Sequence, residues 1–285
     1  MAVVTGSSSG IGFKTSLLLA RKGVYTYATM RNLSKSEEIL NYAKKENLPL
    51  ETLVLDVIDA RSISNAIQKI INERRRIDVL VNNAGYSLLG PLEQLQINEI
   101  KDAFETNFFG VIKLIQSVLP TMRKQRYGRI INVSSVAGRI GFPLSSAYVS
   151  SKFALEGLTE SLRYEVQKFG IHVVLIEPGV IKTNFANNLR VGKNVKTLQD
   201  IKGINSPYVE ITEKRISALR PRIEKGLPPS KVAEVIVEAV MFDNPEARYL
   251  VGEDALTTIE KRNNTSDEQF NRFLMDSVLS WNSRS

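Results

Sequence analysis

At 285 residues, 43% of them hydrophobic and 24% charged, the chain has an ordinary globular composition and room for one large domain but not two comfortable ones. The absence of cysteine excludes disulfides and thiolate chemistry, and a single histidine argues against zinc or any other metal site. The formal charge of +8 lies in short clusters such as Arg74-Arg75-Arg76 and Lys44-Lys45, which read as solvated helix ends rather than a nucleic-acid surface.

Ala2-Val3-Val4-Thr5 predicts a short buried strand, followed by Gly6-Ser7-Ser8-Ser9-Gly10-Ile11-Gly12 and an amphipathic helix to about Lys22. A strand this early leaves no stretch for a leader, and no apolar run approaches the ~18 residues of a membrane span. A cytoplasmic protein is the expectation. A glycine-rich turn from strand to helix brings backbone N–H groups and a helix N-terminus to one point, which suits a diphosphate. Gly6 permits the tight turn, Gly10 the close approach of phosphate, and Gly12 the packing of helix on sheet. The second strand, Tyr25-Thr26-Tyr27-Ala28-Thr29, ends in Met30-Arg31. A NAD-binding unit carries an acid near this point for the ribose 2′-hydroxyl. Here no acid precedes Glu37, and the Arg31 guanidinium suits a 2′-phosphate, so the pattern leans to NADP(H) over NAD(H).

Leu53-Val54-Leu55 predicts the third strand, ending at Asp56-Val57, with a helix of about 60–74 after it. Val79-Leu80-Val81 then runs into Asn82-Asn83-Ala84-Gly85. Two helical stretches, roughly 97–107 and 108–125, meet at Thr106-Asn107-Phe108-Phe109-Gly110, where the first should break. Arg129-Ile130-Ile131-Asn132-Val133-Ser134-Ser135 reads as a buried strand ending in two hydroxyls, before a helix that carries Tyr148 and runs to about Phe169. Val173-Val174-Leu175-Ile176 closes on Glu177-Pro178-Gly179, and His172 just before it reads as structural. The alternation predicts an α/β fold with a parallel, doubly wound sheet and helices on both faces. Residues 183–206 then lose any clean period, as functional lids often do. Tyr208 to about Ile223 and a stretch from Pro228 read as helices, and Tyr249-Leu250-Val251 as a last strand. Phe270, Phe273, Leu274 and Trp281 predict a tail helix docked on the body or on a partner subunit.

Tyr148-Val149-Ser150-Ser151-Lys152 puts a phenol and an ammonium one helical turn apart. At roughly 5 Å and an effective dielectric of about 20, their attraction is ~3 kcal/mol, or ~2 pKa units in favour of the phenolate. That would bring a tyrosine within range of proton transfer near neutral pH. A bare Tyr-x-x-x-Lys is more often a plain surface pair; the strand end at Ser134-Ser135 makes the chemical reading worth pursuing.

Thr5-Gly6-x3-Gly10-x-Gly12, Asn82-Asn83-Ala84-Gly85, Ser135, Tyr148-x3-Lys152 and Pro178-Gly179 follow one another in an order and spacing that resembles the classical short-chain dehydrogenase/reductase family, over about residues 1–185. Tyr27-Ala28-Thr29-Met30-Arg31 looks most like its retinol and hydroxysteroid dehydrogenase branch. The resemblance implies a Rossmann-type fold and an NADP(H)-dependent oxidoreductase interconverting alcohol and carbonyl. It gives Tyr148 the acid/base role on the substrate oxygen, and Ser135, rather than Ser134, the role of polarising that oxygen. Lys152 would hold the nicotinamide ribose and lower the tyrosine pKa, and Asn107 would support a relay water. Cofactor contacts are implied for Gly6, Ser8, Ser9, Gly10, Ile11, Gly12, Arg31, Asp56, Val57, Asn83, Ala84, Gly85, Pro178, Gly179, Val180 and Thr183, besides Tyr148 and Lys152.

Residues 1–252 are expected to form the catalytic domain, with 183–226 as a substrate lid and 253–285 as a docked tail. The substrate is expected to be an apolar small molecule lined by 183–206, the Gly138–Leu144 loop and Leu88-Leu89, with Phe142 and Phe185 as candidates. Phe153, Leu158 and Leu162 look like an apolar excess on the Tyr148 helix, so a homodimer or homotetramer is expected. A silent nucleotide-binding regulator and a 3-oxoacyl-thioester reductase are the alternatives.

Overall fold

The computed structural model describes residues 1–182, 190–191 and 207–279. Its main sheet is built from β1 (Ala2–Val4), β2 (Thr26–Met30), β3 (Leu50–Val54), β4 (Val79–Asn82), β6 (Gly128–Val133), β7 (Ile171–Pro178) and β9 (Arg248–Val251). The strand order is β3-β2-β1-β4-β6-β7-β9, all parallel. The order reverses beside β1, and that switch point opens a crevice at the strands' carboxyl ends. A second, two-stranded sheet pairs β5 (Leu88–Leu89) with β8 (Arg190–Val191).

Strand alternation divides the core. Val3, Tyr27, Leu80, Ile130 and Val173 face one side, where they meet α3 (Ala60–Arg74), α5 (Gly110–Gln125) and α6 (Ser146–Val166). Their neighbours Ala2, Val4, Val79, Val81, Ile131 and Val174 face the other, where they meet α1 (Gly10–Arg21) and α8 (Pro229–Met241). Burial on both faces is why these strands read as unbroken apolar runs.

The differences from expectation lie at the edges. β3 starts at Leu50 rather than Leu53. As an edge strand it accepts Glu51 and Thr52, which hide it from a search for apolar runs. α2 (Glu37–Lys45) escapes notice because only Ile39 and Ala43 of it are buried. The helix break falls as a π turn, Glu105–Phe109, between α4 (Ile97–Phe104) and α5. After α7 (Val209–Glu224), α8 and β9, the chain ends in two helices where one is expected, α9 (Glu253–Asn263) and α10 (Asp267–Leu279). Ala255, Ile259, Phe270 and Leu274 pack on Val136 and Ile140, in the loop just past Ser135. The described part of the tail therefore docks on its own body; Trp281 lies outside the described residues.

Candidate active site

The crevice is a cleft of about 430 Å³. Gly6, Ser8, Ser9, Gly10, Ile11, Arg31, Asp56, Val57, Asn83, Ala84, Gly85, Ser135, Tyr148, Lys152, Pro178 and Gly179 all line it. Gly12, Asn107 and Val180 do not line it, and Thr183 lies outside the described residues.

The glycine turn is braced from below. Gly6 and Gly10 sit at φ of +66° and +61°, the left-handed region that favours glycine. A Cβ on Gly12 would stand 2.5 Å from both the Asn83 amide nitrogen and the Gly6 carbonyl oxygen, so the helix can start here only with glycine. Asn83 Nδ2 donates to the carbonyls of Thr5 (2.9 Å) and Gly6 (3.2 Å). The N–H groups of Asn83 and Ala84 both donate to Thr5 Oγ1 at 3.0 Å. Thr5 is thus a clamp between two loops, a role that its place in the glycine motif does not announce. The first N–H groups of α1 have no acceptor within the helix and open into the cleft, with the Ser8 and Ser9 hydroxyls and the exposed Arg31 guanidinium nearby. Glycine cradle, free amides and a cation at the β2 end fit a phosphorylated dinucleotide.

The two serines at the end of β6 part company. Ser135 hydrogen-bonds the Tyr148 phenol, accepts from the Ala137 N–H (3.1 Å) and reaches the Pro178 carbonyl (3.4 Å). Ser134, 4% exposed, borders the same cleft but lies beside Glu156. Lys152, 7% exposed, donates to the Val133 carbonyl at 2.8 Å and stands 5.9 Å from the centre of the Tyr148 ring.

The electrostatics correct one expectation. Burial pushes the Tyr148 phenol up to about 12, opposed by its bond to Ser135. Burial likewise pulls Lys152 down to about 8, opposed by the Glu156 carboxylate. The ammonium alone therefore does not bring the phenol toward neutrality, because desolvation dominates at both groups.

Asn107 is 1% exposed and its side chain is fully engaged. Oδ1 accepts from the Tyr86 N–H (3.1 Å), and Nδ2 donates to the Tyr86 carbonyl (3.0 Å) and to Ser151 Oγ (3.1 Å). It ties the π turn to the β4 loop and to the Tyr148 helix. His172 sits at the opposite end of β7 from Pro178, and burial lowers its pKa.

Leu88 and Leu89 are 1% exposed and do not line the cleft. Phe142 lines a second cleft of about 350 Å³ with Phe273, Leu274, Arg222 and Asp254. Phe185 lies outside the described residues.

The family model for short chain dehydrogenase matches residues 1–194. The 3-ketodihydrosphingosine reductase of Bacteroides thetaiotaomicron is 36% identical, over 88% of this chain and 87% of that protein. Human 17-beta-hydroxysteroid dehydrogenase type 1 is 35% identical, over 92% of this chain and 80% of its own. The solved structure of actinorhodin polyketide ketoreductase with NADPH superposes with a TM-score of 0.73 at 26% identity, covering 88% of this chain and 94% of that one. With this cleft at the switch point of its sheet and this likeness over most of its length, the chain belongs to the short-chain dehydrogenase family of oxidoreductases.

Proposed function

We propose that the protein is an NADP(H)-dependent oxidoreductase that interconverts an alcohol and a carbonyl on an apolar small molecule. The observation that carries this reading is the Ser135–Tyr148 hydrogen bond, set beside Lys152 in the same cleft as the glycine turn and Arg31. When bound, the nicotinamide supplies or accepts the hydride; the protein has to manage one proton and one oxyanion. Tyr148, neutral near pH 7, donates a proton to the forming alkoxide. Ser135 donates a second hydrogen bond to the same oxygen. Lys152 would turn from the Val133 carbonyl to the nicotinamide ribose, and its charge then bears on the phenol from closer range. The Asn107 side chain is already engaged, so a relay water at this point would be held by the main chain of the π turn.

Arg31, with no acid before Glu37, supports NADP(H), and so does the NADPH carried by the ketoreductase of like fold. We assign residues 1–252 to the catalytic domain, 183–226 to a lid over the substrate end and 253–285 to a tail docked beside it. Thr183 is assigned to the carboxamide end of the cofactor. The relatives' names support testing a steroid and a long-chain 3-keto amine first. The experiment is a turnover screen with NADPH and NADP⁺ against steroids, retinoids, aliphatic aldehydes, 3-keto sphingoid bases and 3-oxoacyl thioesters. Cofactor binding without turnover on any class would favour a silent regulator.

A further inference from the structure

Behind the Tyr148–Lys152 pair lies a chain of buried charges that the mechanism above does not use. Glu156, one turn beyond Lys152 on α6, has a side chain only 8% exposed. Arg248 of β9 bonds it and also donates to Glu177 at 2.7 Å, whose side chain is fully buried. The same guanidinium reaches Glu160 at 3.2 Å, and Arg139 approaches Glu177 at 3.3 Å. A Cβ on Gly138 would stand within 2.9 Å of Glu156 Oε1 and 2.7 Å of Ser134 Oγ, so the carboxyl is wedged under the serine loop.

Arg248 and Arg139 face Glu156, Glu160 and Glu177 in this cluster, two cations against three carboxylates. Lys152, buried and hydrogen-bonded only to a neutral carbonyl among the described residues, stands one helical turn from Glu156, the carboxylate that acts on it. A buried ammonium without a carboxylate nearby gives up its proton readily.

We propose that Glu156 is a positioning residue for Lys152: its carboxylate, one helical turn from Lys152 and held by Arg248 of β9, keeps the ammonium protonated in the cleft and so sets the upper pH limit of cofactor binding. This rests on the reading that Lys152 grips the nicotinamide ribose. The charged groups facing Glu156 are Lys152 and Glu160 on its own helix, Glu177 on β7 and Arg248 on β9, with Ser134 and Gly138 as neutral neighbours. Burial first, then Glu177, push the Glu156 carboxyl above the usual carboxylate range, with Ser134 and Arg248 opposing.

The test is NADPH affinity, followed by nucleotide fluorescence from pH 6 to pH 10. The wild type should lose affinity on the alkaline side as Lys152 deprotonates. Glu156→Gln should move that midpoint down by at least ~0.5 pH unit, the scale of one neighbouring charge. Glu156→Ala should move it the same way, and serves if the glutamine variant fails to fold. In a Lys152→Arg background, whose guanidinium stays charged throughout, the alkaline loss should be absent both with and without Glu156→Gln. A purely structural Glu156 would lower thermal stability and leave every midpoint where it was, and that result overturns the proposal. A wild type that binds no NADPH at any pH would instead sink the proposed function itself.

Discussion

The Asp254 carboxylate, in the first turn of α9, accepts the Val180 N–H at 2.8 Å and lies against Gly179. A Cβ on Gly179 would stand 2.2 Å from Asp254 Oδ1, so the Pro178-Gly179-Val180 loop and the tail helix fit only with glycine between them. A charged acceptor on a backbone amide is worth about 1.5–3 kcal/mol. Asp254→Ala should therefore raise the KM for NADPH by ~10-fold or more, with a smaller effect on kcat, because the loop that flanks the nicotinamide end loses its tether. Gly179→Ala should do the same and lower the melting temperature. Steady-state kinetics against NADPH and a thermal melt decide both.

Tyr148→Phe removes the proton donor and keeps the ring. NADPH binding should survive, while kcat falls by at least ~10³-fold, the scale of a lost general acid. The pH dependence has a defined sign. Because burial raises the phenol to about 12, its neutral form dominates below that value, and carbonyl reduction, which needs the acid, should be flat on the acid side of pH 8. Alcohol oxidation needs the phenolate and should climb with pH above 7 until Lys152 fails. A reduction rate that rises with pH in parallel with oxidation would contradict the assignment of Tyr148.

Arg31 is exposed at the β2 end of the cleft, with Ser8 beside it in the same lining. NADPH should exceed NADH by at least ~10-fold in kcat/KM, the effect of about one charge-assisted hydrogen bond. Arg31→Asp should reverse or abolish that preference without changing kcat for the better cofactor. Equal efficiency with both cofactors in the wild type would remove the basis for the assignment.

What could be read from the sequence follows from where burial is two-sided. The inner strands, the glycine turn and the Tyr148 helix announce themselves because both strand faces are apolar and the chemistry is local. Thr5 and Asp254 escape a sequence reading of the site because their partners lie 78 and 74 positions away in the chain. No period or spacing signals a contact of that kind. The tyrosine pKa was misjudged for a related reason: a sequence gives the distance between two helix neighbours but not the desolvation that surrounds them. Leu88-Leu89 are expected as substrate lining, whereas Leu88 joins a buried cluster with Leu95 and Ala147 and Leu89 is buried beside it in the chain.

Leu162 is 6% exposed and belongs to the core, and Leu158 packs partly against it, so they are not spare surface. Phe153 remains 46% exposed and Tyr164 73% exposed on α6, and Phe109, from the π turn that leads into α5, adds 43%. Phe153, Gly157, Ser161 and Tyr164 recur at helical spacing, and all are exposed. Two aromatics flanking a glycine and a serine leave room for a second helix to approach closely. The described tail docks elsewhere, on the loop after Ser135, and does not explain this stripe. A two-fold pairing of α6 with its copy is the simplest closed solution, and a tetramer adds a second axis. We expect a homodimer or homotetramer at low micromolar concentration. Phe153→Glu with Tyr164→Glu should convert it to monomer while leaving the fold intact by circular dichroism. Sedimentation equilibrium reads the outcome: a wild type that behaves as a single 31.9 kDa species would show that the stripe is ordinary surface.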